Sequence, residues 1–371
     1  MTSRRAFLMG LAALPLAGCE TPAARRPADP ARAAPLGLTG SAEARAEMTE
    51  LYRRALAAGE EKVTLYSCTG DSEWQPLWRA FQDAFPGLTA VYSHISPSQV
   101  MIRIDSETAT GRRFGDVYLP PVNIVEDIAD KGYFLPFSPK SVAEFEPRWR
   151  DPEGLVDYPL AKAFGLAYNT RAVPPEAVPR TFEDILQPRW RKRYTYIRPA
   201  TQNGTTDVAI TDLLHQGRVT RAQLEALRDK GAYAGIEAGV TYVSQGRQDI
   251  QLWAYLPTVL RQRKLGAPVA IVFPPDFSTL VPFGAAISRN VVHPNAARLL
   301  KAWLFTPAAQ AVLARQVGMF ATGPGAPLPP YMPPPSPDAG PRRGLSPREL
   351  QVALAAGRPN LKSIFDVKVN A

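Results

Sequence analysis

Apolar residues along this chain recur at two periods, and the switches between them mark out its elements. Behind Ser41, Met48, Leu51, Tyr52, Ala55 and Leu56 fall three and four apart, which predicts a capped helix ended at Gly59. Lys62–Ser67 alternates as a strand. Trp74, Leu77, Trp78, Phe81 and Phe85 form the stripe of a second helix, stopped by Pro86-Gly87. Residues 88–92 read as a strand. Ser96-Pro97 opens a helix carrying Val100, Met101 and Ile104, and 116–119 is a strand before a helix that ends at Gly132. This alternation predicts βαβ units and a mainly parallel sheet.

The middle of the chain forms a second α/β set. Strands are expected at 164–169, 194–197, 269–273 and 282–287, with a loop at 201–204. Helical turns are expected over 181–186, and helices over 205–216, 220–231 and near 257–265. A short segment at 240–243 precedes a helix opening at Ser244-Gln245-Gly246. Helices at 295–304 and 307–317 return the chain. Residues 324–347 hold ten prolines, so that stretch is extended, with a short helix at 347–356 beyond it.

Composition narrows the class. With 371 residues, 45% hydrophobic and 21% charged, the chain reads as a globular protein of about two domains. No second apolar run of about 20 residues follows the N-terminal one, which excludes a multi-pass membrane protein. The formal charge of +9 suits an anionic partner or a membrane surface, but much of the excess arginine sits near the two ends. Nucleic acid is not an expected partner. The two cysteines, Cys19 and Cys68, make no C-x2-C pair, so no zinc site follows from them.

The first 19 residues read as a leader. Arg4-Arg5 runs into an apolar stretch from Phe7 to Leu16, and Leu16-Ala17-Gly18-Cys19 matches a lipobox, in which Cys19 is the lipidation site. The alternative is an ordinary secretory leader in which Cys19 is coincidental. The arginine pair is similar to a twin-arginine export signal, with the general secretory route as the other reading. Residues 20–40 are rich in Ala, Pro and Arg and read as a tether.

Five segments in order carry a resemblance to a known family: 61–67; Phe81-x3-Phe85-Pro86-Gly87-Leu88; Gly111-x3-Gly115-Asp116-Val117; 181–191, with Thr181, Asp184, Leu186 and Trp190; and 295–304. The chain resembles, over about residues 60–322, the periplasmic solute-binding proteins of ABC importers, in the group that takes ferric iron, phosphonates, polyamines or thiamine. The resemblance implies an α/β, two-lobed periplasmic-binding-protein fold of type II, its lobes joined by crossing strands. The expected divisions are 41–163 plus 283–322 for one lobe, 164–282 for the other and 323–371 for a Pro-rich extension outside the family pattern. It also implies a cleft whose helix N-termini favour anions, and closure by hinge motion.

Three loops are expected to face that cleft, contributing Thr69, Gly70 and Ser72; Ser96 and Ser98; and Thr201, Asn203, Gly204, Thr205 and Thr206. The threonines of the third are equally what a plain N-cap uses. Ser244, Gln245 and Gly246 are expected to open another helix pointing the same way, with Trp253 and Tyr255 following as further ligand contacts. Iron-binding members carry two adjacent tyrosines here, whereas this chain has Ala254-Tyr255-Leu256, so direct iron binding is the weaker alternative. Tyr194 and Tyr196 share a strand face and either bind or, more simply, pack under a helix. The Trp74/Trp78 pair reads as helix core, and Cys68 as a small buried thiol with no motif supplying a base.

The expected function is capture of a small, anionic solute for permease subunits in the inner membrane, by a monomer anchored through Cys19 in the periplasm, with no catalytic residues, no cofactor and no resident metal. A ligand-sensing component of a signalling system shares this fold. An exported enzyme lacks support, since neither G-x-S-x-G nor H-E-x-x-H occurs. A structural envelope lipoprotein is the remaining alternative.

Overall fold

The computed structural model describes residues 34–68, 70–111, 115–197, 199, 204–334 and 345–365, excepting the side chains of Asp71, Ser72, Pro97, Ser98 and Arg358. The leader with Cys19, and Thr69, Thr201 and Asn203, lie outside the described residues, as do the side chains of Ser72 and Ser98.

The chain opens with α1 (Ala42–Ala57), β1 (Lys62–Ser67), α2 (Asp71–Ala84), β2 (Thr89–His94), α3 (Pro97–Thr110), β3 (Val117–Tyr118), α4 (Val122–Asp130) and β4 (Phe134–Leu135). Ser41 caps α1, its hydroxyl accepting from the Ala44 amide at 3.2 Å, and the face of Met48, Leu51, Tyr52 and Ala55 is buried as the spacing predicts. β1 pairs in parallel with β2 and β3. Trp74 stacks on Trp78 at 5.8 Å, and Phe81 meets Trp303 edge-on at 5.4 Å, so the stripe of α2 is core.

The second half of the fold starts with the long strand β5 (Asp157–Asn169), followed by α5 (Phe182–Ile185), β6 (Tyr194–Tyr196), α6 (Gly204–His215), α7 (Arg221–Lys230), β7 (Ala232–Tyr233), α8 (Ile236–Ser244), β8 (Ile250–Tyr255), α9 (Leu256–Lys264), β9 (Val269–Val272) and β10 (Thr279–Ser288). β6 runs parallel to β7 and β8, and β5 is antiparallel to β8, β9 and β10. Tyr194 and Tyr196 are buried; the Tyr194 hydroxyl donates to the Leu227 carbonyl at 2.8 Å, the packing role weighed against binding. The chain closes with α10 (Pro294–Leu304), α11 (Pro307–Val312), β11 (Phe320–Ala321) and α12 (Pro347–Phe365).

β10 belongs to both sheets. Thr279–Phe283 pair with β5, while Ala286 and Ile287 pair with β3. The register shifts between Phe283 and Ala285, and at Gly284 a Cβ would sit 2.4 Å from Val156 Cγ1, so only glycine passes this crossing. The result is the expected two-lobed α/β architecture: one lobe around β1–β3, the other around β6–β9, with β5 and β10 running between them.

Four sequence expectations need correction. Residues 240–243 and Ser244 lie inside and at the end of α8, whose N-cap is Gly235; Ile236, Val240 and Val243 are its buried face, a helical spacing hidden in a β-branched run. The helix expected to open at Ser244-Gln245-Gly246 is absent: Gln245 is the C-cap of α8, and Gly246 at φ 72° turns the chain out. The segment with Trp253 and Tyr255 is instead the wholly buried strand β8, apolar at every position but Gln251, with no alternation to reveal it. The C-terminal helix, read as ending at 356, reaches Phe365.

Candidate functional site

Parallel strands leave their carboxyl ends at one edge of a sheet, and that edge is where α/β proteins hold ligands. β1 ends at Ser67 and feeds α2; β8 ends at Tyr255 and feeds α9. The two lobes bring these edges face to face. Arg261 of α9 spans them: Nη1 contacts Glu73 Oε1 of α2 at 3.2 Å, while Nη2 pairs with Glu237 of α8. The Thr258 hydroxyl donates to the other oxygen of Glu237 at 2.9 Å, fixing that carboxylate.

Lys162 of β5 lies on the floor between them. It is 2% exposed, and its ammonium stands 4.5 Å from the Tyr255 ring centre and 4.8 Å from that of Phe283. Among the described residues no carboxylate reaches ion-pairing distance of it. Burial pulls its pKa below the usual lysine value, opposed most by the charge of Glu73. Burial likewise raises the Glu73 carboxyl, with Lys162 as the largest opposing influence. Glu73 Oε2 is buried and, among the described residues, has no hydrogen-bond partner. The Cys68 thiol is pushed up to about 12 by burial and so stays protonated and unreactive at neutral pH.

A second part of the rim is the start of α6. Thr205 and Thr206 are buried in its first turn, and Gly204 sits against α4, where a Cβ would come 2.4 Å from Asn123 Nδ2. Thr206 Oγ1 and Asn123 Oδ1 are buried without a partner among the described residues.

The sequence-predicted residues fall into three groups. Gly70 caps α2, Ser96 precedes α3, and Gly204, Thr205 and Thr206 open α6, all at helix starts; Tyr255 lies beside Lys162. Trp253 is fully enclosed: it is the extra residue of a bulge opposite Gly165 and Leu166, at φ 54°, so its ring is held in the interior next to Tyr255's strand end. Ser244, Gln245 and Gly246 are not brought to the cluster. They sit at the carboxyl end of α8 beside Asn169, seven residues along β5 from Lys162, roughly 23 Å at strand rise. Glu73, Lys162, Glu237 and Arg261 are the residues that sequence reasoning missed. A lone lysine inside the apolar run Asp157–Asn169 is the signal that could have found the first of them.

Two lobes hinged on shared strands, with charged side chains facing each other across the gap, define a binding protein that closes around a small molecule. The chain belongs to the family of bacterial extracellular solute-binding proteins, whose sequence profile matches residues 116–342, more than half its length. Among solved structures it is similar to the substrate-binding protein of an ABC transporter from Agrobacterium tumefaciens (TM-score 0.71, 16% identity, 82% of this chain and 94% of that one). Iron-bound HitA from Pseudomonas aeruginosa is also similar (TM-score 0.67, 17% identity, 82% and 99%). So is AfuA from Actinobacillus pleuropneumoniae with fructose-6-phosphate bound (TM-score 0.66, 13% identity, 82% and 99%). No curated protein sequence matches the chain. The family is one of transport receptors rather than enzymes, so this protein is a solute-binding component of an ABC importer, working in the periplasm with a small-molecule solute and permease subunits as partners.

Proposed function

We propose that this receptor captures a small anionic solute, with Lys162 as the group that takes its negative charge. The observation that carries the reading is a buried ammonium in the hinge strand that faces aromatic rings and, among the described residues, has no carboxylate in contact. A buried cation of this kind costs folding free energy, and an incoming anion offsets that cost. Glu73 Oε2 is an acceptor left over in the same cleft, which suits a solute carrying a hydrogen-bond donor beside its acidic group. Glu73 and Glu237 bring two carboxylates to the same cleft, each paired with Arg261. Gly70, Ser96, Gly204, Thr205, Thr206 and Tyr255 complete the wall, and Thr69, Ser72, Ser98, Thr201 and Asn203 are further contacts of this proposal. The lobe divisions follow the two crossing strands, and Cys19 anchors the mature chain to a membrane.

Among the described residues no group of three or more His, Cys, Asp and Glu side chains is placed to hold a metal ion. Ferric iron asks for several anionic oxygens, and a cleft floored by a lysine supplies the opposite charge.

Native mass spectrometry of the folded chain lacking residues 1–19, before and after mild denaturation, tests the reading. The expected result is a released organic or phosphorus-containing anion that Lys162→Met no longer retains. A ferric adduct retained by Lys162→Met overturns it. For the anchor, Cys19→Ala is expected to move the protein from the membrane fraction to the soluble periplasm.

A further inference from the structure

The helix α12 follows the family match, which ends at residue 342, and no role for it comes with the family. It lies across the seam of the two lobes. On the first lobe it meets α4: Arg348 Nη1 reaches Glu126 Oε2 at 3.2 Å and Asp130 Oδ1 at 3.4 Å, and Gln351 Nε2 donates to Asp130 Oδ2 at 3.1 Å; Arg148 also donates to the Leu345 carbonyl just ahead of α12 at 2.9 Å. On the second lobe the Leu345 amide, just ahead of α12, donates to Asp212 of α6 at 3.0 Å. Arg221 of α7 donates to the Ser363 hydroxyl at 3.0 Å, Arg228 of α7 to the Ile364 carbonyl, and Phe365 lies against the Tyr196 ring at 6.0 Å.

These two sets differ in kind. The α4 set is made of charged and amide side chains; Arg348 is 68% exposed and Asp130 55%. Such contacts are worth about 0–1 kcal/mol each and release easily. Leu350 and Leu354 along the helix, and Leu361, Ile364 and Phe365 at its far end, are buried to within 2% and joined to the main core. A helix of 19 residues is about 28 Å long, and Gly357 and Pro359 lie between its two sets of contacts. When the lobes swing apart the strain falls on the contacts at its two ends, and the exposed polar set is the weaker.

We infer that α12 is a catch. It rides with the second lobe and engages α4 of the first only near the closed angle, so that it holds the empty receptor toward closure and sets the work of opening. The inference rests on the two-lobed binding-protein reading and on nothing about the solute.

The test is made without ligand, on the chain lacking residues 1–19. Spin labels at Ile102 and Leu265, both exposed and on opposite lobes, in a Cys68→Ser background, report the lobe separation by pulsed dipolar spectroscopy. Arg348→Glu faces two carboxylates and is expected to raise the open fraction about fivefold. Adding Asp130→Arg to it restores the original distribution. Deleting residues 345–371 opens the molecule further. A distribution unchanged in both Arg348→Glu and the deletion overturns the inference, leaving α12 as packing alone. Because no solute enters these measurements, their failure leaves the Lys162 reading untouched, and the reverse holds as well.

Discussion

Two buried lysines, Lys162 and Lys301, answer the same physical problem in opposite ways. Burial lowers the pKa of both. Lys301 of α10 is fully satisfied: it pairs with Asp157 at 2.9 Å and donates to the carbonyls of Phe137 at 2.7 Å and Gly154 at 3.1 Å. It ties α10 to the root of β5 and to two loops. Lys162, five residues further along the same strand, faces two aromatic rings and, among the described residues, no carboxylate. A buried charge that is matched inside the chain is architecture; one that is unmatched beside a cleft is an invitation to a ligand.

The comparison breaks most readily at Lys301. Lys301→Met leaves Asp157 buried and unpaired, and is expected to lower the unfolding free energy by about 3–5 kcal/mol in urea denaturation, with Lys301→Met/Asp157→Asn recovering part of it. If instead Lys162→Met destabilised the protein as much, the distinction between the two would be lost. The expected outcome for Lys162→Met is stability unchanged or higher, together with roughly a tenfold or greater loss of affinity for the captured solute by calorimetry. A pH series sharpens the point. With its pKa below the ordinary 10.5, Lys162 loses its proton earlier than a surface lysine, so affinity for an anion falls as pH rises through that lowered value. Over the same interval the folded state binds fewer protons than the unfolded one, so the empty protein gains stability as the pH climbs. Affinity that rises with pH there would sink the assignment. The smallest effect is expected at the rim: Gly204→Ala displaces only the mobile tip of Asn123 and is expected to cost about 1 kcal/mol or less, read by thermal denaturation.

Much of this was legible in the amino-acid order. The helical stripes of α1 and α2, the Ser96-Pro97 start of α3 and the last apolar strand all stand where period and capping put them. What failed to show were elements buried on every side. β8 is apolar at five of its six positions, so period says nothing about whether it is strand or helix. The cleft charges were hidden for a related reason. Glu73 looks like an acid favouring the first turn of α2, and Arg261 like one of several bases at the end of α9. Only the meeting of the two lobes, more than 180 residues apart in sequence, turns them into partners.

The shared strand β10 has a consequence for the order in which this protein can be made. The first lobe is discontinuous: β3 waits for Ala286 and Ile287, Phe81 for Trp303, and the Glu60 carboxylate for the Ala296 amide it accepts from at 2.7 Å. A nascent chain therefore carries an unfinished N-terminal lobe, with an open strand edge, until nearly three hundred residues have emerged. The strands β6–β9 of the second lobe are continuous in sequence and are all made before that point.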